Sequence, residues 1–362
     1  MNSIYRPTKA IIDLDKVYSN YLEVKNRILN KSIIPVVKAN AYGHGSVEIV
    51  KHLHKHGVNF VAVSLLEEAL ELREQFKCLE ILVMGMITVD ELPVVSKYNI
   101  VFTVYDEAFA SKVLHSKEKL RFHVKFDSGM NRLGIKDEKI LDHFLLQALK
   151  NNNLTIEGLF THFATSDSNK DFHKKQLVRF ENMLKNLSYK PKMIHVSNSS
   201  STIKFENGID FTTHARVGIL LYGLTLDKGL DFLKPAMEVK TQVLHIKTLN
   251  PGECVSYDIT YCADQVERVA VLPIGYADGL IRKNQGGCVE INSKTYPIVG
   301  RICMDQTIVK IDDNVRLGDE VTILGGSIIT TDNVADRLNT INYEIVTQVG
   351  ARIPRIYISK EV

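Results

Sequence analysis

The chain has 362 residues, 45% hydrophobic and 24% charged, with a net charge of +3, which indicates a soluble globular protein of two domains unless one is a large barrel. Charges of both signs are interspersed, without a basic tract for nucleic acid or an anionic membrane, and no run of roughly eighteen apolar residues would cross a bilayer. Five scattered cysteines, with no C-x-x-C pair, argue for a reducing cytoplasm rather than a disulfide framework or a zinc site, and the start "MNSIYRPTKAIIDL" lacks the apolar core of a signal peptide.

The first element is a strand, "KAIIDL" (9–14), followed by a helical stretch near 15–29. Short apolar, β-branched runs then alternate with amphipathic stretches. The runs fall at 33–38, 60–64, 79–85, 100–105, 120–126, 154–160, 193–199 and 211–217, with helical patterns such as 65–76 and 172–187 between them. Continuously apolar strands separated by helices imply a parallel sheet. Eight such units by residue 217 predict a closed (β/α)8 barrel in an α/β protein. After about residue 230 the texture changes to short strands and Gly, Asp and Asn turns, with helical pattern returning only at about 331–351. The division is therefore a barrel over 1–230 and a mainly-β domain over 231–362.

"VVKANAYGHG" (36–45) places Lys38 at the end of the first barrel strand, the end at which barrels build their sites. Burial there would lower the amine's pKa. For a lone lysine the plain reading, a side chain emerging at a strand edge, would win. Other polar groups end later strands, however: Lys125, Arg132, His162, His195, Asn198, Ser199 and Arg216. Their convergence on one rim favours a site.

At these residues the sequence resembles the alanine racemase family, whose members use pyridoxal phosphate (PLP) on a barrel plus a β domain. The segments "VVKANAYGHG", "KFDSGMNRLG", "THFATSD", "HVSNSS", "ARVGILLYG", "VSYDITY", "LPIGYADG" and "VGRICMDQT" follow in the family's order over essentially the whole chain. The resemblance implies that the initial strand packs with the second domain. It implies that Lys38 binds the PLP aldehyde, that Tyr42 and Ser199 give hydroxyls to the phosphate, and that Gly218 and Ile219 give amides. Arg216 would face the pyridine nitrogen. Tyr257 would be the second base, contributed across a homodimer and partnered by His162, since a free tyrosine ionises near pH 10. Arg132 and the amide of Met304 would meet the substrate carboxylate, with Lys125 carbamylated beside Arg132. Tyr276, Arg282, Arg301 and Asp305 resemble the entrance to the site, with structural interface residues as the equal alternative, and Tyr261 is read as packing. No metal is implied.

Three departures stand out. Ser128 and Asn131 replace residues that are commonly Thr and Gly. Ala351 stands where relatives carry a tyrosine that touches the phosphate, which opens the alternative of a broader-specificity racemase, with Tyr343 able to fill the same space. The implied activity is interconversion of L- and D-alanine in the cytoplasm for cell-wall peptide synthesis. A PLP decarboxylase would share the architecture but fits Tyr257, Arg216 and "RICMD" less well. A non-catalytic PLP carrier would be a single barrel.

Overall fold

The computed structural model describes residues 5–360 except 29, 167 and 228. The barrel strands are β2 (Ser32–Pro35), β3 (Phe60–Val63), β4 (Glu80–Val83), β5 (Phe102–Val104), β6 (Leu120–Lys125), β7 (Leu154–Phe160), β8 (Met193–His195) and β9 (His214–Val217). Their apolar runs are buried on both faces: Ile81, Leu82 and Val83 of β4 are all inaccessible, which is why they lack the alternation of half-exposed strands. Parallel ladders run β2-β9-β8-β7-β6-β5 and β3-β4. Bridges Val36↔Ala62 and Leu82↔Val101 join the two pieces and close the barrel.

The N-terminal helical elements are α1 (Leu14–Arg27), α2 (Lys38–Tyr42), α3 (Ser46–Lys55), α4 (Leu66–Gln75), α5 (Leu92–Lys97), α6 (Glu107–Leu114), α7 (Glu138–Ala148), α8 (Lys170–Asn186) and α9 (Ser199–Lys204). Asp106, Asp137 and Asn169 start α6, α7 and α8 by accepting from first-turn amides, the role such side chains favour. In α4, Leu66, Ala69 and Leu72 face inward, a stripe at helical spacing that packs on the barrel.

β1 (Lys9–Asp13) does not join the barrel. It pairs antiparallel with β10 (Met237–Gln242) and parallel with β17 (Arg355–Ile358). The remaining strands are β11 (His245–Leu249), β12 (Glu267–Leu272), β13 (Cys288–Ile291), β14 (Lys294–Pro297), β15 (Thr307–Ile311) and β16 (Glu320–Leu324). They complete one sheet in the order β14-β13-β16-β10-β1-β17 and another in the order β11-β12-β15. The helical stretch expected at 331–351 is two helices, α10 (Thr331–Leu338) and α11 (Asn342–Thr347), divided where Asn339 turns left-handed at φ 56°. Asparagine tolerates that conformation because its side chain can bond locally.

Cysteine usage differs from the expectation. Cys78, Cys288 and Cys303 are free, but Cys254 and Cys262 are joined. The hairpin around residues 255–261 brings them opposite each other in an antiparallel bridge, a proximity that linear spacing conceals. Among the described residues no helix is long and apolar enough to cross a membrane.

Candidate active site

The chain leaves β2 through Val36 and Val37 and enters α2 at Lys38, three residues beyond the last strand residue rather than at the strand's end. α2 is a left-handed turn. Ala39, Asn40, Ala41 and Tyr42 all have φ of 52–53°, and Ala41 N–H and Gly43 N–H each donate to the carbonyl four residues back. For L-residues this hand costs about 1–2 kcal/mol per residue, so the surroundings must hold it. Asn40 Oδ1 accepts from Ser46 N–H at 2.8 Å. The buried His44 ring lies 3.1 Å from the carbonyls of Ala41 and Tyr42. Gly43 is seated against α11, where a Cβ would stand 2.3 Å from the Val346 carbonyl oxygen.

The turn presents Lys38 to a cavity of about 540 Å³ at the C-terminal end of the barrel, also lined by Tyr42, Lys125, Arg132, His162, Ser199, Arg216, Gly218 and Ile219. All nine residues that the resemblance assigned to the barrel side of a site therefore share one cavity, together with Asn198, whereas His195, also expected on the rim, is fully buried behind Arg216 and does not line it. Burial, and then the Arg132 charge, push the Lys38 amine below the usual lysine range, with Glu68 opposing. Burial raises the Tyr42 phenol well above its ordinary value, so Tyr42 remains a neutral donor.

Arg216 is buried and makes five bonds. Its guanidinium donates to His195 Nδ1 at 2.8 Å, His195 O at 2.7 Å, Thr161 O at 2.8 Å, Val196 O at 2.9 Å and His162 Nδ1 at 3.2 Å. All five acceptors are neutral. Burial pulls its pKa down to about 10 against a partial offset from Glu206, so it stays charged at neutral pH. Burial and Arg216 hold His162 well below the ordinary histidine value.

Lys125 ends β6, and burial, followed by the Arg132 and Arg216 charges, lowers its pKa to about 8. The loop carrying Arg132 is built by Asp127, whose Oδ1 accepts from Gly129 and Asn131 amides at 2.9 and 3.0 Å. Asn131 sits at φ 58°, which explains how it can stand at a position where glycine is common. Ser128 Oγ lies 2.8 Å from Thr161 Oγ1, a contact any hydroxyl residue can make. Ser199 Oγ accepts from Gly218 N–H at 3.0 Å. A Cβ on Gly218 would stand 2.4 Å from the Tyr42 hydroxyl, so only glycine leaves this corner open.

Comparison with known proteins identifies the family. The sequence model for the alanine racemase N-terminal domain matches residues 12–226, and that for the C-terminal domain matches residues 236–357.

The chain belongs to the alanine racemase family.

Alanine racemase from Listeria innocua is 40% identical over 366 residues, covering 98% of this chain and 99% of that protein. The Geobacillus stearothermophilus alanine racemase is 38% identical over 372 residues, covering 99% and 95%. The solved alanine racemase structure from E. faecalis has a TM-score of 0.93 at 34% identity, covering 98% of this chain and 99% of that one. The one from Bacillus anthracis, with bound L-Ala-P, has a TM-score of 0.92 at 36% identity, covering 99% and 96%.

Two residues that the family resemblance assigns to the site do not line this cavity. Tyr257 lies in the loop between Cys254 and Cys262 and is 65% exposed; Met304 is 52% exposed. They belong to one surface, because Ser256 Oγ donates to Arg301 O at 2.5 Å and lies 3.3 Å from Cys303 Sγ. On that surface Asp258 pairs with Arg301 at 2.7 Å, and Asp305 pairs with Arg352 at 2.7 Å. Tyr261 is turned away: its hydroxyl donates to Glu267 and its ring packs in a small cluster with Leu249 and Val269.

Ala351 is exposed and does not line the cavity, whereas Tyr343 of α11 does, with its ring 6.1 Å from that of Tyr42. Of the two residues the sequence offered for this space, Tyr343 and not Ala351 lines the cavity. An aromatic eight residues earlier in the chain supplies the cavity wall. The family resemblance also passed over Glu68, which reaches from α4 to Ala39 N–H, and His123, which bonds to His195. "LEEALEL" reads as a solvated helix face and "LRFHVKF" as plain strand, so no sequence signal marks either.

Proposed function

We propose that this protein interconverts L- and D-alanine, using pyridoxal phosphate held on Lys38 and two bases on opposite faces of the α-carbon. The observation that supports this most directly is the meeting, in one cavity, of a half-buried amine of lowered pKa, the Arg132 guanidinium, the hydroxyls of Tyr42 and Ser199, and a buried Arg216 whose five acceptors are neutral.

The donor set fits the cofactor. Tyr42 and Ser199 hydroxyls with the Ile219 amide suit a phosphate; the Gly218 amide, which donates to Ser199 Oγ, would exchange that acceptor for a phosphate oxygen, and the missing Cβ at Gly218 leaves it room. When bound, PLP supplies an aldehyde for the amine and a conjugated ring that acidifies the α-proton of the amino acid. Arg216 can only donate. Its fixed charge would oppose a second positive charge on a ring nitrogen held beside it, which would limit electron withdrawal and favour return of the proton to the same carbon.

Lys38 Nζ carries the proton on one face. Tyr257 of the partner subunit carries it on the other, at its phenolic oxygen, with His162 as hydrogen-bond partner. Its exposure, together with that of Met304, suits residues that complete a second copy's site. In this reading residues 1–230 hold the cofactor and 231–362 close the partner's cavity, apart from Tyr343, which walls the cavity of its own chain. Arg132 and the Met304 amide bind the substrate carboxylate.

A Lys125 amine with a pKa of about 8 is neutral often enough to attack carbon dioxide. An N–C bond forms, a proton leaves to solvent, and the resulting carbamate pairs with Arg132 instead of repelling it. In this reading the protein is a cytoplasmic enzyme that supplies D-alanine for peptidoglycan, and the joined Cys254 and Cys262 are the one feature of its cysteine usage that does not favour that compartment.

Incubating the purified, PLP-loaded protein with L-alanine tests the reading. Loss of optical rotation with formation of D-alanine is expected. Release of carbon dioxide would indicate a decarboxylase, and no turnover would indicate a carrier.

A further inference from the structure

The left-handed turn that carries Lys38 is tied to the neighbouring barrel strand by a single carboxylate. Glu68 stands in the first turn of α4, just after β3. Its Oε2 accepts from Ser64 N–H at 2.8 Å and Leu65 N–H at 3.1 Å, which are the residues where β3 gives way to the helix. Its Oε1 accepts from Ala39 N–H at 2.5 Å, the residue immediately after Lys38. One side chain thus caps its own helix and crosses to the turn.

We propose that Glu68 is a positioning residue that holds the left-handed turn and so fixes the direction in which Lys38 enters the cavity. A run of non-glycine residues at φ of 52–53° persists only where the surroundings over-determine it. On one side α11 supplies that constraint through the close fit of Gly43 against Val346 O. On the other side the constraint at the first left-handed residue is Glu68. An ionised carboxylate suits the task because it only accepts, and here three amide donors converge on its two oxygens. A glutamine of the same shape must turn its NH2 toward either the Ala39 amide or the Ser64–Leu65 pair, setting donor against donor. An aspartate can still cap α4 but is one methylene too short to reach Ala39 as well. The inference rests on Lys38 being the reacting amine, but the turn's order can be measured without any turnover.

The test compares Glu68→Gln and Glu68→Asp with wild type. Amide hydrogen exchange is measured at Ala39–Tyr42 and in β6 and β7, alongside melting temperature and steady-state kinetics with L-alanine. Both variants are expected to exchange about tenfold or more faster at Ala39–Tyr42, with β6 and β7 unchanged. Their kcat should fall about tenfold or more at a nearly constant KM, as a displaced reacting group requires. Exchange at the turn within about twofold of wild type in Glu68→Asp would overturn the tether. So would acceleration spread evenly through the barrel with a lowered melting temperature, because Glu68 would then be a general stabiliser. If exchange changes as expected but neither wild type nor variants turn over alanine, the tether stands and the racemase reading fails.

Discussion

His195 accepts a hydrogen bond from Arg216 at Nδ1, at 2.8 Å, and its Nε2 lies 2.8 Å from His123 Nδ1. A guanidinium can only donate. His195 Nδ1 is therefore bare, its proton is on Nε2, and His123 must accept at Nδ1 and carry its own proton on Nε2. His162 Nδ1 accepts from the same guanidinium at 3.2 Å, which leaves its proton on Nε2. One charged side chain sets the tautomers of three imidazoles.

The tautomers are directly observable. Burial, His214 and Arg216 lower His123 to about 3, and burial with Arg216 holds His195 and His162 well below the ordinary value. Histidine ¹⁵N spectra at pH 6 should show all three neutral and protonated on Nε2. A proton on Nδ1 of His195, or an imidazolium signal for any of the three, would contradict the chain of bonds.

Acid should weaken the fold through His44. Its pKa is lowered from 6.5 to about 4, chiefly by burial, with backbone acceptors opposing. Between those values the unfolded chain binds the proton and the folded one does not. The stability is thus fully present above pH 6.5 and declines as pH falls toward 4, by up to about 1.4 kcal/mol per pH unit for this one group. Urea unfolding across pH 4–7 should show that slope reduced in His44→Phe relative to wild type. Parallel curves would show that His44 takes no part.

Much of this was readable in advance because strand, loop and chemistry coincide at the barrel rim. Lys125, His162 and Arg216 each lie at or next to the end of a buried apolar run, so the barrel count alone aims them at one place. Two things were not readable. Lys38 sits on a left-handed turn, and in "ANAY" only Asn40 is a residue that tolerates that hand, beside two alanines and a tyrosine that do not; tertiary contacts from Glu68, His44 and Val346 impose it. The Cys254–Cys262 bond likewise depends on how segments fold back on each other, which periodicity does not encode, whereas Tyr343 was already a candidate for the space beside Ala351 and the structure only chose between them.

Tyr343 bounds the cavity beside Tyr42, so removing its ring should loosen side-chain selection. Tyr343→Ala is expected to shift the alanine-to-serine ratio of kcat/KM toward serine by about tenfold, the scale that small volume changes in a pocket provide. An unchanged ratio would show that another group limits the substrate's size.

Shared sites predict complementation. Lys38→Ala and Tyr257→Phe should each be inactive, since each loses one base. Mixing them under conditions where subunits exchange should restore part of the activity, because one hybrid site regains both wild-type bases. Exchange demonstrated by mass-tagged subunits with no return of activity would place both bases in one chain.

The central claim, that Lys38 is the amine that binds PLP, is tested most directly by reducing the PLP-loaded protein with borohydride, digesting it and locating the labelled lysine by mass spectrometry. The account predicts loss of the visible absorption band and a phosphopyridoxyl group on the peptide containing Lys38. A label on Lys125 or any other lysine, or a band that survives reduction, would contradict it.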